Sequence, residues 1–295
     1  MIQWWQILLL TLYAAYQILD ELGPYTSAGQ AVFAGLIAGL VMGDLKTGLY
    51  IGGMMQLTVL GVGTFGGASR IDANSGTVLA TAFAVSQGMD PEQAIGLIAV
   101  PVAALMVYTD ILGRFANTFW GHRCDADVEK MDWKAYNVHY LLGGVSWSLS
   151  RALPVFLALA FGGDLVASIT SALNGDLAWI GKGLTVAGGA LPAVGFAILL
   201  RYLPVKKHVA FLLLGFAITA LFGTAFANIG TLGSDVASLG AAAGIDGVPS
   251  GAYNSLSMLT IAVIGLAISL LYYNNNQARP AVAAAAQDDD DDDED

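Results

Sequence analysis

Four stretches of this chain, residues 92–113, 184–203, 208–228 and 255–273, stay apolar over about the 20 residues a helix needs to cross a bilayer. A chain with several such runs can satisfy its backbone inside lipid only as helices or as a closed barrel, and runs of this length fit helices. Composition agrees: 56% of residues are hydrophobic, 12% are charged, and the mean hydropathy is +0.65. Soluble domains carry about 25% charged residues. The expectation is an all-α, polytopic membrane protein. A soluble enzyme, a nucleic-acid binder and a secreted disulfide scaffold fit poorly. The single cysteine, Cys124, cannot form an intramolecular disulfide.

The first half of the chain is less regular. The opening MIQWWQILLLTLYAAYQILDEL lacks a basic leader and a cleavage site, so it reads as a retained membrane segment with Trp4 and Trp5 near an interface. Residues 75–87 are too short to span, and 28–42 and 48–65 are separated by Gly43-Asp44-Leu45-Lys46. Short, glycine-interrupted apolar pieces are expected where re-entrant or broken helices line a substrate cavity. Gly35, Gly39 and Gly43, then Gly48 and Gly52, repeat every four residues, the pattern of a close helix-packing face.

Arg114, Arg123, Lys130 and Lys134 read as one polar loop, Arg201, Lys206 and Lys207 as another, and Arg279 follows the last span. The intervening 164–183 and 229–254 hold only Lys182. The positive-inside rule puts the basic loops and the C-terminus in the cytoplasm and leaves the side of the N-terminus open. Residues 1–273 are expected to form one membrane domain and 274–295 a disordered cytoplasmic tail. Residues 288–295 are all acidic and leave −3 of the formal −11 for the rest of the chain.

The densest polar cluster is GDLKTGLYIGGMMQLTVLGVGTFGGASRIDANSGT, residues 43–77. Ionisable groups at membrane depth cost about 2.5–3.5 kcal/mol each on insertion scales, so they face a cavity or a partner. Gln, Asn, Asp and Arg side chains with freed backbone groups complement a neutral polyhydroxylated ligand, whose hydroxyls both donate and accept. Gln56, Thr64, Arg70, Asp72 and Asn74 are the candidate substrate contacts; a plain surface loop over 66–75 is the other reading. Asp20 and Glu21 either end a helix at the interface or face a translocation path. Asp44 and Arg151 are candidate structural or gating ions. Arg151 in mid-span needs a carboxylate, Asp72 or Asp44. A span beginning at 152 would instead put Arg151 at the interface and bury Asp164. Gly61–Gly66 fits G-x-G-x-x-G without the strand that dinucleotide binding requires. His122, Cys124, Asp125 and Asp127 match no zinc spacing, and the three histidines, which flank membrane segments, anchor no Ser/His/Asp arrangement; no metal, cofactor or catalytic residue is expected. His139 and His208 read as interface residues.

The segments ILDEL, GLIAGLVMGDLKTGLYIGGMMQL, the glycine-rich stretch ending at Asp72 and the later SRALP resemble the IIC subunit of the mannose–fructose–sorbose–N-acetylgalactosamine class of the bacterial phosphotransferase system. The resemblance covers most of residues 1–273, and GDLKTGLYIGG at 43–53 is its most specific piece. It implies a helical fold with re-entrant segments around a central sugar site, in the bacterial inner membrane. It also implies a IID membrane partner, cytoplasmic IIA and IIB phosphocarriers, trimers of IIC–IID pairs, and no phosphorylation site on this subunit. Gln56 stands where many members of the class have Glu, and Gly63–Gly67 differs from mannose-type members, so the resemblance does not name the sugar. An ion-coupled secondary transporter, its intramembrane charges serving as relays, is the alternative, and a non-transporting membrane scaffold a third reading.

Overall fold

A computed structural model describes residues 2–62, 71–243 and 257–288. They are helical, with no strand among them. Two compact units divide at Leu203 and Pro204. The first holds α1 (Trp4–Leu22), α2 (Ala31–Met42), α3 (Leu45–Thr58), α4 (Ala73–Gln87), α5 (Pro91–Ala94), a π turn (Ile95–Ala99), α6 (Val100–Glu129), α7 (Trp133–Phe161), α8 (Gly163–Asn174) and α9 (Ala178–Tyr202). The second holds α10 (Val209–Ala242) and α11 (Ser257–Asp288).

Among the described residues, four helices are long and apolar enough to cross a membrane: Pro91–Glu129, Trp133–Phe161, Ala178–Tyr202 and Val209–Gly240. The chain is a multi-pass membrane protein. The expected run at 255–273 yields only a shorter apolar helix, Thr260–Asn275, within α11, and α11 carries helical backbone past residue 273 to Asp288.

The expected polar loop at 114–134 is mostly helix. α6 runs to Glu129 and α7 starts at Trp133, so only a three-residue turn separates them. At 1.5 Å per residue, the 39-residue helix Pro91–Glu129 is about 58 Å long, well beyond a ~30 Å hydrocarbon core. Its far end, which mixes Arg114 and Arg123 with Asp125, Asp127 and Glu129, forms a hairpin with the start of α7. Asp132 caps α7, accepting from the Lys134 and Ala135 amides at 3.2 and 3.1 Å. His139 Nδ1 lies 2.5 Å from Asp127 Oδ2, and its ring stacks on Trp120 at 5.8 Å between centroids, so the hairpin is tied across both helices.

α2 and α3 form a second, shorter antiparallel hairpin. A β-carbon on Gly35 would fall onto the Gly48 carbonyl, and one on Gly48 onto the Gly35 carbonyl. On Gly52 it would meet the Ala31 carbonyl at 2.7 Å, so the two backbones touch directly, as four-residue glycine spacing predicts. Gly43 does not belong to that face. It ends α2 with φ +82°, open space around it, and its amide bonded to the Gly39 carbonyl, a left-handed cap.

α4 is the core of the first unit. Every residue from Ala73 to Ala84 is buried. Its 15 residues reach only about 22 Å, which protein burial tolerates and lipid exposure would not. Small side chains let its neighbours close in: a β-carbon on Gly76 would strike the Ala99 carbonyl in the π turn that interrupts Pro91–Glu129. Within the second unit, His208, Phe211 and Tyr272 form an aromatic cluster, Phe211 and Tyr272 standing edge to face at 5.1 Å.

Candidate functional site

A cavity of about 250 Å³ lies in the first unit, at the start of α4. The loop after α1, the start of α2, the end of α3 and Arg151 of α7 complete its wall. That volume is slightly below the range usual for small-molecule pockets, about 300–1,000 Å³. Of the candidate contacts, Gln56, Asp72 and Asn74 line it together with Arg151. Gln30, Glu21 and Tyr25 also reach it.

Each of these side chains is held by local structure. Asp72 caps α4, accepting from the Ser75 amide at 3.1 Å and the Ser75 hydroxyl at 2.6 Å. Its own amide donates to the Ala103 carbonyl at 3.0 Å and pins the helix start to α6. Asn74, one turn into α4, donates through Nδ2 to Tyr13 Oη at 2.9 Å and to the Ala28 carbonyl at 3.0 Å. Those acceptors fix the amide's orientation. Asn74 Oδ1 is buried and has no hydrogen-bond partner among the described residues. Gln56, near the end of α3, accepts from the Ala31 amide and donates to Gln30 Oε1, both at 2.9 Å. It braces the start of α2.

The loop between α1 and α2 is tied down by Asp20. One carboxylate oxygen accepts from the Thr26 amide and hydroxyl at 2.8 and 2.6 Å, and the other from the Ala28 amide at 2.9 Å. This holds Tyr25 and Ser27 in the left-handed region, φ 55° and 76°, where non-glycine residues are uncommon. Of the two readings of the Asp20–Glu21 pair, Asp20 serves the loop and Glu21 lines the cavity.

Arg151 lies in mid-helix and is only 5% exposed. Its Nη2 donates to Asp110 Oδ1 at 2.8 Å and its Nη1 to the Met106 carbonyl at 3.1 Å. Its Nε stands 3.2 Å from Asp72 Oδ2, an ion pair without the alignment of a hydrogen bond. Asp110 Oδ2 in turn accepts from Arg114 Nε at 2.8 Å. The result is a row of alternating charges, Asp72, Arg151, Asp110, Arg114, running from the cavity toward the α6–α7 hairpin.

Several expectations are corrected here. Asp44 is not the partner of Arg151: it caps α3, accepting from the Thr47 amide at 3.1 Å and hydroxyl at 2.7 Å. Asp164 is exposed, so the span beginning at 152 does not apply. Thr64 and Arg70 lie outside the described residues. Sequence reasoning missed Asp110, although an aspartate inside the apolar run 92–113, four residues before Arg114, was the signal for it. It also missed Gln30 and Tyr13, which no local pattern marks, because their roles depend on α1, α2 and α4 meeting.

The family model for the sorbose-specific IIC component of the phosphotransferase system matches residues 4–239. The sorbose-specific EIIC component of Klebsiella pneumoniae is 30% identical over 201 residues, 68% of this chain and 72% of that protein. Among solved structures, one described only as a membrane protein superposes with a TM-score of 0.69 at 21% identity, covering 93% of this chain and 97% of that one. A cryo-EM structure of the mannose transporter ManYZ in complex with microcin E492 superposes at 0.52 and 22%, covering 92% and 96%. At these identities the two structures support the fold, and the family follows from the sequence matches. The chain thus belongs to the sorbose-specific IIC family of the phosphotransferase system and is a sugar-translocating membrane subunit of it, a result that does not favour the ion-coupled alternative.

Proposed function

We propose that the cavity at the start of α4 is the sugar site, and that the subunit passes a hexose or amino sugar from it to a cytoplasmic IIB for coupled phosphorylation. The observation that carries this reading is convergence. Gln56, Asp72, Asn74 and Arg151, spread over 96 positions of sequence, line one small polar cavity in an apolar protein. Polar groups are expensive at membrane depth, and a permease is where that cost has a use. The carboxylate of Asp72 accepts hydrogen bonds, Arg151 donates them, and Gln56 keeps capacity for both. Asn74 Oδ1 and Arg151 Nε, buried within these lining residues, have no hydrogen-bond partner among the described residues. Thr64 and Arg70 belong to the proposed contact set from sequence. Asp44 serves as a structural ion.

By the same reading the subunit works with a IID membrane partner and with IIA and IIB, as a trimer of IIC–IID pairs in the bacterial inner membrane. Residues 1–273 act as the permease domain, and 274–295 as a cytoplasmic tail. Its sidedness follows from charge and packing together. Arg123, Lys130 and Lys134 favour a cytoplasmic α6–α7 turn. α1 packs antiparallel to α7: Ser148 Oγ donates to the Ala15 carbonyl at 3.0 Å, and Leu19 sits by Gly144. The Leu22 end of α1 therefore lies on the cytoplasmic side and the Trp4 end outside.

The test is phosphoenolpyruvate-dependent phosphorylation of radiolabelled L-sorbose, D-mannose, D-fructose and N-acetyl-D-galactosamine. Membranes would carry this chain with its IID partner, supplied with soluble IIA and IIB. Phosphorylation of one sugar, lost when this chain is omitted, is the expected result. No phosphorylation, with potential-driven uptake in intact vesicles, would return the ion-coupled reading.

A further inference from the structure

Arg151 lines the cavity, but the group that holds it does not. Asp110 lies behind Arg151 on α6, 3% exposed and outside the cavity wall. Its Oδ1 accepts from Arg151 Nη2 at 2.8 Å, while the Met106 carbonyl one turn earlier accepts from Nη1 at 3.1 Å. Both terminal nitrogens are thereby anchored to α6, each keeping a second N–H, and Nε faces back to Asp72 at 3.2 Å. The other oxygen of Asp110 is occupied by Arg114 Nε at 2.8 Å, which stops the carboxylate from rotating away.

We propose that Asp110 is the positioning residue of the site. It fixes the arginine fork from behind, so that the Nε edge and the Asp72 carboxylate meet a sugar hydroxyl in one geometry. This rests on the cavity being the sugar site. Three features favour it over a purely structural ion pair. The anchoring is two-point and directional. It leaves Nε, the nitrogen beside the cavity-lining Asp72, without a hydrogen-bond partner among the described residues. And the second cation, Arg114, is 40% exposed in its side chain, so it secures the carboxylate without itself needing the interior.

The experiment measures equilibrium binding of the four radiolabelled sugars named above to the detergent-purified complex of this chain with its IID partner, alongside its melting temperature. The variants are D110N, D110E, R114Q, R151K and D110N/R151K. The expected result is that D110N binds the native sugar at least about tenfold more weakly with complex assembly retained. D110E, which keeps the charge on a longer arm, should fall between D110N and native. R114Q, which frees only the second oxygen of Asp110 and leaves its bond to Arg151, should weaken binding clearly less than D110N. Because Asp110 acts through Arg151, adding D110N to R151K should cost much less than D110N costs alone. Native affinity in D110N, or full additivity in the double variant, overturns the proposal. So does R114Q weakening binding as much as D110N, since the row of charges would then act as a structural unit. Should D110N fail to assemble, D110E decides: intermediate affinity supports positioning and native affinity overturns it. If the unaltered complex binds none of the four sugars, the sugar-site reading fails first and the proposal falls with it.

Discussion

Arg151 survives in the middle of an apolar helix because two carboxylates and a carbonyl surround it. Removing the arginine leaves Asp72 without its cation in the interior, while Asp110 keeps Arg114, and an uncompensated buried charge costs about 3–5 kcal/mol. Arg151→Met should therefore sharply lower the melting temperature of the purified complex. Combining it with Asp72→Asn and Asp110→Asn should recover most of that stability without recovering sugar binding. An unchanged melting temperature in the single variant would mean the charge row is not built as described. Gln56 offers a second test at this scale. Glu at 56 keeps the acceptor for the Ala31 amide but loses the donor to Gln30, whose own amide can turn to donate instead. The net change is one negative charge in the cavity, so Gln56→Glu should shift relative affinity toward a cationic amino sugar such as glucosamine. A sugar panel that keeps its native order would place Gln56 in a bracing role only.

At the scale of elements, the glycines of α2 and α3 separate packing from permissiveness. Gly35 and Gly48 each sit against the other's carbonyl, whereas Gly53 on α3 has open space where a side chain would go. Gly48→Val should prevent the hairpin from closing and abolish assembly. Gly53→Ala should be neutral or stabilise by about 0.5–1 kcal/mol, through helix propensity alone. Size-exclusion profiles of the two extracted complexes would distinguish them, and equal behaviour would contradict backbone-to-backbone packing of α2 on α3. This level was largely readable from the chain. Four-residue glycine spacing announced the face, and the shortness of 75–87 announced a half helix. What could not be read was which glycine stops a helix, since Gly43 continues the spacing but caps α2. Nor could the length of α6 beyond the membrane be read, because a charged helix and a charged loop have similar composition. Asp72, Asn74 and Gln56 stood out as polar residues in apolar sequence. That a mid-span Arg151 needs Asp72 or Asp44 was also readable; that it is Asp72, and that Gln56 and Asn74 join them, depends on α7 crossing α4, a long-range contact with no local signature.

For the whole molecule, the antiparallel packing of α1 on α7 turns a charge rule for one hairpin into a sidedness for the chain. In a Cys124→Ser background, a cysteine at position 3 should react with an impermeant maleimide from outside intact cells. A cysteine at position 131, in the α6–α7 turn, should react only after permeabilisation. The reverse pattern would invert the orientation and place the cavity's Glu21 side toward the exterior. The central claim, that the cavity at the start of α4 holds the sugar, is tested most directly through Asp72, which lines it and pairs with Arg151. Arg151 keeps Asp110 when Asp72 is lost, so the fold should tolerate the change at the cost of a helix cap, about 1 kcal/mol. The measurement is radiolabelled sugar uptake by cells carrying Asp72→Ala, with membrane assembly followed in the same cells. The account predicts that uptake falls to background while assembly with the IID partner is retained; uptake at the unaltered protein's rate would remove Asp72, and the cavity with it, from the sugar's path.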